Sequence, residues 1–354
     1  MDAVVVREFG RAAVEALELR PVGPCDVLVR IEATGICHSD VSVFGGVLGG
    51  RLPVVLGHEG AGTVVEAGDR VQRVRVGDRV VLSAIPACGT CWFCSRAEPH
   101  LCELASSIRK PPFVDGERAV AGASGLGTFA EAVVLDERTV IPVHTDLPSD
   151  LLSLIGCAVI TGAGCTLNIA TVRAGTSVLV VGAGGIGLSA IQGARVQGAY
   201  PIVAIDPSPQ ARDAAVRCGA TSTEAPGLDI VGTLRELTGG RGFDVVIECV
   251  GSADTFTTGY QLTRRGGEMV LVGVGPPDVM MPISIVDPVL AGKRLTGCVY
   301  GGTSVHRDVP RYVAMAERGQ LDFEALVGRR ITLAETPAAL TSNHGPGRTI
   351  IVNA

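Results

Sequence analysis

Residues 178–187 read VLVVGAGGIG: four apolar strand-formers run straight into a cluster of glycines. The glycines fall as G-x-G-x-x-G at Gly182, Gly184 and Gly187, and the run beyond them, LSAIQGARV, is helical in character. Strand, glycine turn and helix in that order make the phosphate-binding corner of a dinucleotide site. Gly182 permits the tight turn, Gly184 lets backbone approach a pyrophosphate, and Gly187 lets helix and strand pack closely. The start of the helix, where Gly185 stands, offers free N–H groups and positive potential to the phosphates. PIVAID follows as a second strand and ends on Asp206, nineteen residues beyond Gly187. A carboxylate there accepts the ribose hydroxyls of NAD and repels the 2′-phosphate of NADP, so NAD is the expected cofactor.

Outward from this corner the pattern repeats. SPQARDAAVRCGA reads as a helix closed by Gly219, DIVGTLRELTGG as a helix ending in glycines, and FDVVIECVG as a strand. QLTRRGGEMVLVGVG reads as a helix end, a Gly-Gly stop and a strand. Alternating strands and helices predict a doubly wound parallel sheet with helices on its faces. Upstream the texture differs. VLVRIEATGIC, AGTVVEAG and DRVVLS are Val-rich runs bounded by Gly, Pro or Asp, which predicts a β-dominated domain. Beyond about residue 298, RDVPRYVAMAERGQL reads as a helix and RTIIVN as a closing strand.

The chain has 354 residues, which favours two domains. Its formal net charge of −6, without basic clusters, argues against a nucleic-acid partner. The start, MDAVVVREFG, lacks the basic region and apolar run of a secretory signal. Leu151–Val172 and Ala174–Ala194 are uncharged apart from Arg173 between them and match a membrane span in length. Polar Thr161, Thr166 and Asn168 in one and six glycines in the other suit a buried strand and helix instead. No membrane association and a cytoplasmic location are expected.

Eleven cysteines are present, and four of them, Cys88, Cys91, Cys94 and Cys102, lie within fifteen residues. In a reducing compartment clustered thiols hold metal more often than disulfides. Four thiolates surround one tetrahedral zinc at about 2.3 Å and leave no position open, so this ion would be structural. A CxxC redox pair and an iron–sulfur cluster share the spacing. A second set is dispersed: Cys37 in GICHSD, His58 and Glu59 in LGHEGAG, and Cys157 in LIGCAVITG. Two thiolates and an imidazole make a three-ligand site with an open fourth position, the catalytic pattern for zinc. Taken singly, each residue is equally well a core cysteine or a turn histidine.

Together these motifs resemble the zinc-containing alcohol dehydrogenases of the medium-chain dehydrogenase/reductase family. The resemblance rests on G-I-C-H-S-D, G-H-E-G-A-G, the four-cysteine lobe, G-C-A-V-I-T-G, V-G-A-G-G-I-G with Asp206, and the final G-R-T-I-I-V. It implies an α/β protein: a GroES-like β-rich catalytic domain from residues 1–155 and 298–354, with a zinc lobe at 86–104, and an inserted Rossmann domain at 156–297. It implies two zinc ions per subunit and a homodimer or homotetramer. Cys37, His58 and Cys157 become the catalytic zinc ligands, with Glu59 able to approach the metal transiently. Asp40 becomes the carboxylate that orients His58, and Ser39 the hydroxyl that meets the alcohol. His38 and Arg348 match groups at the cofactor pyrophosphate, Thr161 packs on the nicotinamide, and Val272, Gly273 and Val274 hold its carboxamide and ring. The reaction implied is reversible oxidation of an alcohol to an aldehyde or ketone, with hydride passing to NAD.

The sequence departs from the family at three places. Ser42 stands where many members end their proton relay with histidine. Ala211, beside Arg212, stands where a basic residue often follows the ribose-binding acid. Ala84 replaces an often aromatic pocket residue, and the segment from Cys102 to Cys157 is short, so a bulky or aromatic alcohol is expected. A dehydrogenase of thiol–formaldehyde adducts shares these motifs, and a non-catalytic zinc- and NAD-binding sensor is the reading from another class.

Overall fold

In the computed structural model, which describes residues 1–342 and 345–353, the strand Val178–Val181 lies at the centre of a six-stranded parallel sheet. Its neighbours are Ile202–Ile205 on one side and Phe243–Glu248 on the other. Beyond them lie Ser222–Glu224 on one edge, and Thr263–Leu271 then Arg294–Gly297 on the other. Chain order reverses beside the glycine strand, which opens a crevice at its carboxyl end. All four residues of Val178–Val181 and of Ile202–Ile205 are buried, because helices cover both faces. Burying each Val, Leu or Ile side chain among them contributes about 1.5–3 kcal/mol.

The helices also follow the sequence. Gly185–Val196 opens at Gly184, and Pro209–Cys218 is capped by the Ser208 hydroxyl and ended by Gly219 at φ +116°. One expectation fails. Gly266 and Gly267 do not stop an element; they lie inside the strand Thr263–Leu271. Gly266, at φ +69°, sits where the register with Phe243–Glu248 slips. The positive φ lets the strand bulge and continue.

The upstream half forms two sheets. In the larger, Val140–Pro142, Arg79–Leu82, Glu59–Ala67 and Asp26–Ile36 lie side by side, with Ala132–Asp136 also pairing with Asp26–Ile36. Arg348–Val352 and Val327–Ile331 return from the far end of the chain to complete this sheet. Two registers here set up the site. Gly35 faces Glu59, and Thr349 faces Ile36, so Arg348 and Cys37 emerge together at one end. A continuous apolar core joins the two halves: Ala61, Val81 and Ile141 pack in one cluster with Ile160, Val180 and Leu188.

Among the described residues no single helix is long and apolar enough to cross a membrane. The apolar stretch after residue 149 is two short helices, Ser149–Gly156 and Ala158–Ile169, bent by 55°.

Candidate active site

The strand Asp26–Ile36 ends at Cys37, which caps the short helix His38–Phe44. His58 directly precedes the strand Glu59–Ala67, and Cys157 precedes the helix Ala158–Gly164. Three separate junctions thus deliver Cys37, His58 and Cys157, with Glu59, to one buried point, their ligand atoms all within 4.8 Å of one another. Cys37 Sγ and Cys157 Sγ are 4.0 Å apart. Two thiolates bound to one zinc at about 2.3 Å would be about 3.8 Å apart, so the donor set fits that ion. A disulfide needs about 2.05 Å and is excluded.

Asp40 organises this point. Its carboxylate accepts from His58 Nδ1 at 3.0 Å, Cys37 N at 2.9 Å and Gly57 N at 3.0 Å. That bond fixes the His58 tautomer and leaves Nε2 free as a ligand atom. Burial opposes charge on the His58 ring, but Asp40 outweighs it and raises the pKa well above the usual value.

Glu59 lies against Gly35, where an added Cβ would come within 2.1 Å of its carboxylate, so glycine makes room for that side chain. Arg348 meets Glu59 through Nη2 at 2.7 Å and Nε at 3.1 Å, and its Nη2 donates to Cys37 Sγ at 3.3 Å. Burial lifts the Glu59 pKa to about 7 in spite of Arg348. Contact with the Cys157 thiol, aided by Arg348 and His58, holds Cys37 well below the ordinary thiol range, and Cys37 in turn drives Cys157 well above it. Two buried thiols sharing one negative charge are donors suited to a cation.

Of this cluster, Cys37 and Arg348 reach a cleft of ≈ 270 Å³ between the two halves. Its wall contains Cys37, His38, Ser39, Ser42, Gly182, Gly184, Gly185, Gly187, Asp206, Val272, Gly273, Val274 and Arg348. Gly182, at φ +92°, turns the chain; a Cβ at Gly187 would strike the Gly182 carbonyl; and Gly184 faces open space. The Arg348 guanidinium lies against Gly185, where a Cβ would come within 3.1 Å of it. Asp206 is held by Ala183 N at 2.8 Å and Ser208 N at 2.9 Å. Arg212 donates to the Asp206 and Pro207 carbonyls, at 2.7 and 3.0 Å. Thr161 is buried one helical turn beyond Cys157, its N–H bonded to the Cys157 carbonyl, and is not part of this wall.

The second cluster is also assembled. The sulfurs of Cys88, Cys91, Cys94 and Cys102 lie within 4.8 Å of one another, with Cys88–Cys94 and Cys91–Cys102 each at 3.9 Å. Backbone N–H groups of Thr90 and Cys91 point at Cys88 Sγ from 3.4 and 3.2 Å and bring its pKa down to about 6. Such contacts favour thiolate, the metal-binding form.

Several site residues carry no sequence motif. Glu248 holds the cleft loop through Val250 N at 2.8 Å and Gly251 N at 2.9 Å. Cys249, Val250, Ile186 and Leu48 complete the wall. Tyr300 accepts from Ala84 N at 3.3 Å and donates to the Gly156 carbonyl beside Cys157. An aromatic ring therefore does adjoin Ala84, supplied from another part of the chain. Glu248 ends the strand Phe243–Glu248, and nothing local in the sequence pointed to it or to Tyr300.

Comparison with known proteins agrees with this architecture. Residues 23–145 match the alcohol dehydrogenase GroES-like domain, and residues 185–318 match the zinc-binding dehydrogenase family. The chain is 33% identical over 344 residues to the NDMA-dependent alcohol dehydrogenase of Amycolatopsis methanolica, covering 94% of this chain and 93% of that one. It is 32% identical over 361 residues to the S-(hydroxymethyl)glutathione dehydrogenase of Komagataella pastoris, covering 97% and 94%. The crystal structure of benzyl alcohol dehydrogenase from Acinetobacter calcoaceticus superposes with a TM-score of 0.92 at 31% identity, over 100% of this chain and 99% of that one. A likeness that runs the length of both halves, and not the glycine turn alone, shows that the chain belongs to the zinc-binding alcohol dehydrogenases of the medium-chain dehydrogenase/reductase family.

Proposed function

We propose that the chain oxidises a primary or secondary alcohol with NAD, reversibly, at the Cys37–His58–Cys157 centre. The observation that carries this reading is that Cys37, whose sulfur lies within 4.8 Å of the His58 and Cys157 ligand atoms, also lines the cleft walled by Gly182, Gly184, Gly187 and Asp206. Zinc, when held there, makes a hydroxyl more acidic, and NAD accepts the hydride.

The protein's own groups do the rest. Asp40 keeps His58 oriented, and Arg348 balances the negative charge of Cys37 and Glu59. Gly184 and Gly185 leave room for the pyrophosphate, with Arg348 and exposed His38 beside it. Ser39, whose Oγ is 3.7 Å from Cys37 Sγ, takes the hydroxyl proton and passes it outward. Ser42 lies on the same cleft wall and continues that route. The two halves hold donor and acceptor in line and exclude water. The Cys88–Cys102 lobe holds a second, structural zinc.

An alcohol panel with the zinc-loaded protein and NAD, followed by NADH absorbance, tests this. Turnover lost in Cys37→Ala with NAD binding retained supports it. No oxidation of any alcohol by the wild type would favour a non-catalytic zinc- and NAD-binding role. The S-(hydroxymethyl)glutathione dehydrogenase relative supports a second reading, oxidation of a thiol–formaldehyde adduct. An absolute requirement for added thiol would select it.

Assembly into a homodimer or homotetramer is part of the same reading. Arg294–Gly297 is an edge strand, and in the segment that leads into it Met280, Ile285, Val289 and Leu290 are 81%, 84%, 72% and 68% exposed. An apolar edge of this kind is covered by a second copy. Light scattering on the purified protein reads the outcome. The clustered thiols suit a reducing cytoplasm.

A further inference from the structure

Tyr300 follows the edge strand Arg294–Gly297 of the parallel sheet and leaves that sheet at once. Its backbone has φ +51°, a left-handed conformation that a bulky residue rarely adopts. Such an outlier persists only where its surroundings hold it. Gly301 and Gly302 continue the left-handed path, at φ +65° and +60°. That path lays the chain against the helix Ala158–Gly164: a Cβ on Gly301 would come within 1.9 Å of the Ile160 carbonyl and 2.9 Å of Gly164 Cα. Asn168 Nδ2 donates to the Gly301 carbonyl at 3.0 Å and secures it.

The strained residue aims its phenol at the other half of the molecule. Tyr300 Oη accepts from Ala84 N at 3.3 Å, just beyond the strand Arg79–Leu82, and donates to the Gly156 carbonyl. Gly156 stands where two of the ligand-bearing junctions touch: a Cβ there would come within 3.2 Å of Glu59 Cα and 3.5 Å of the His58 carbonyl. The Gly156 carbonyl belongs to the peptide that joins it to Cys157. Cys157, at φ −147° and ψ −58°, lies between two helices bent by 55° and in neither. Helical bonding resumes only at the Cys157 carbonyl, which accepts from Thr161 N at 2.9 Å. At such a break the carbonyls that end the first helix need partners from outside it. Asp40 orients His58 through the ring; Tyr300 reaches Cys157 through its peptide.

We propose that Tyr300 is a positioning residue: by holding the Gly156–Cys157 peptide against His58 and Glu59, its phenol sets where the Cys157 sulfur stands relative to Cys37 and His58. This rests on the zinc-ligand set of the reading above and deepens it, because one of the three ligands then depends on a side chain delivered from the cofactor-binding sheet.

The test is release of zinc from the loaded protein to a chromogenic chelator, read as one phase for each cysteine cluster. The phase absent from Cys37→Ala belongs to the reacting centre. Tyr300→Phe removes the hydroxyl alone and should quicken that phase about 10-fold, as for other groups that orient metal ligands, while the Cys88–Cys102 phase stays unchanged. Turnover should show the same split, kcat falling about 10-fold with KM for NAD unchanged. Asn168→Ala frees Gly301 and keeps the phenol; it should quicken the same phase, and it decides where Tyr300→Phe does not fold. A wild-type rate in Tyr300→Phe (or in Asn168→Ala where only that variant folds) would overturn the proposal. Equal quickening of both phases would overturn it too, because it marks a general loosening of the fold. A wild type holding no zinc that Cys37→Ala loses would sink the ligand-set reading itself.

Discussion

Arg348 and Glu59, far apart in sequence, form a buried ion pair of 2.7 Å that also touches Cys37 at 3.3 Å. Breaking such a pair leaves an uncompensated charge inside the protein. Arg348→Met should therefore cost about 3–5 kcal/mol of stability. Adding Glu59→Gln should recover part of the loss, so the double variant unfolds later than the sum of the singles predicts. Denaturant titration of the four proteins measures this.

Gly35 offers a sharper probe of the same pair. Its strand partner is Glu59, and an added Cβ would meet the Glu59 carboxylate before anything else. Gly35→Ala should lower stability by about 1–3 kcal/mol, the usual range for overpacking. Glu59→Ala in that background should relieve the crowding. If the double variant is no more stable than Gly35→Ala alone, the collision is with something other than Glu59.

The two cysteine clusters should fail differently. If each cluster holds one zinc as proposed, Cys91→Ser should remove one of the two ions and chiefly lower thermal stability. Cys37→Ala should also lose one zinc but lose turnover with it, its thermal unfolding changing far less. Metal analysis alongside activity and melting curves separates them. A Cys91→Ser protein that melts normally yet has no turnover would reverse the division of roles.

Asp26 sets a pH dependence. It is 1% exposed and binds Arg20 at 2.5 Å and Lys110 at 3.3 Å. Burial raises its pKa, but the two cations win and hold it below the ordinary carboxylate value. A depressed folded-state pKa gives stability that is present above the unfolded value, about 3.9, and lost as pH falls through the folded value. Asp26→Asn should cost about 2–3 kcal/mol at pH 7, from charge-assisted bonds lost in a buried setting. The gap between wild type and variant should persist at pH 5 and narrow only below pH ~4. Urea unfolding at these pH values reads it.

Asp206 should set the cofactor preference. Its carboxylate is held at the cleft wall by two backbone N–H groups and would repel a 2′-phosphate. Asp206→Ser should raise the NADP-to-NAD ratio of kcat/KM by about 10-fold or more, equivalent to about 1.4 kcal/mol. An unchanged ratio would mean another group discriminates.

What could be read from sequence follows the range of each interaction. The glycine turn and the Cys88–Cys102 lobe are local, so spacing alone specifies them. Cys37, His58 and Cys157 sit at three distant junctions, and only resemblance to a family united them. The contacts that tune the site are set by strand register: Glu59 over Gly35, Arg348 beside Cys37. Register depends on the partner strand and cannot be read from either strand by itself. Tyr300 was silent because it is one side chain meeting distant backbone groups. The glycines at Gly266 and Gly267 misled because a bulge and a stop use the same residue.

The return of Arg348–Val352 to the first-built sheet has a consequence for synthesis. Cys37, His58, Glu59 and Cys157 leave the ribosome long before Arg348 does, yet the charge that balances Cys37 and Glu59 arrives with that strand. A growing chain can gather its thiols and glycine turn but cannot neutralise the pocket they form. Charge balance around Cys37 and Glu59 therefore waits on the strand that completes the sheet.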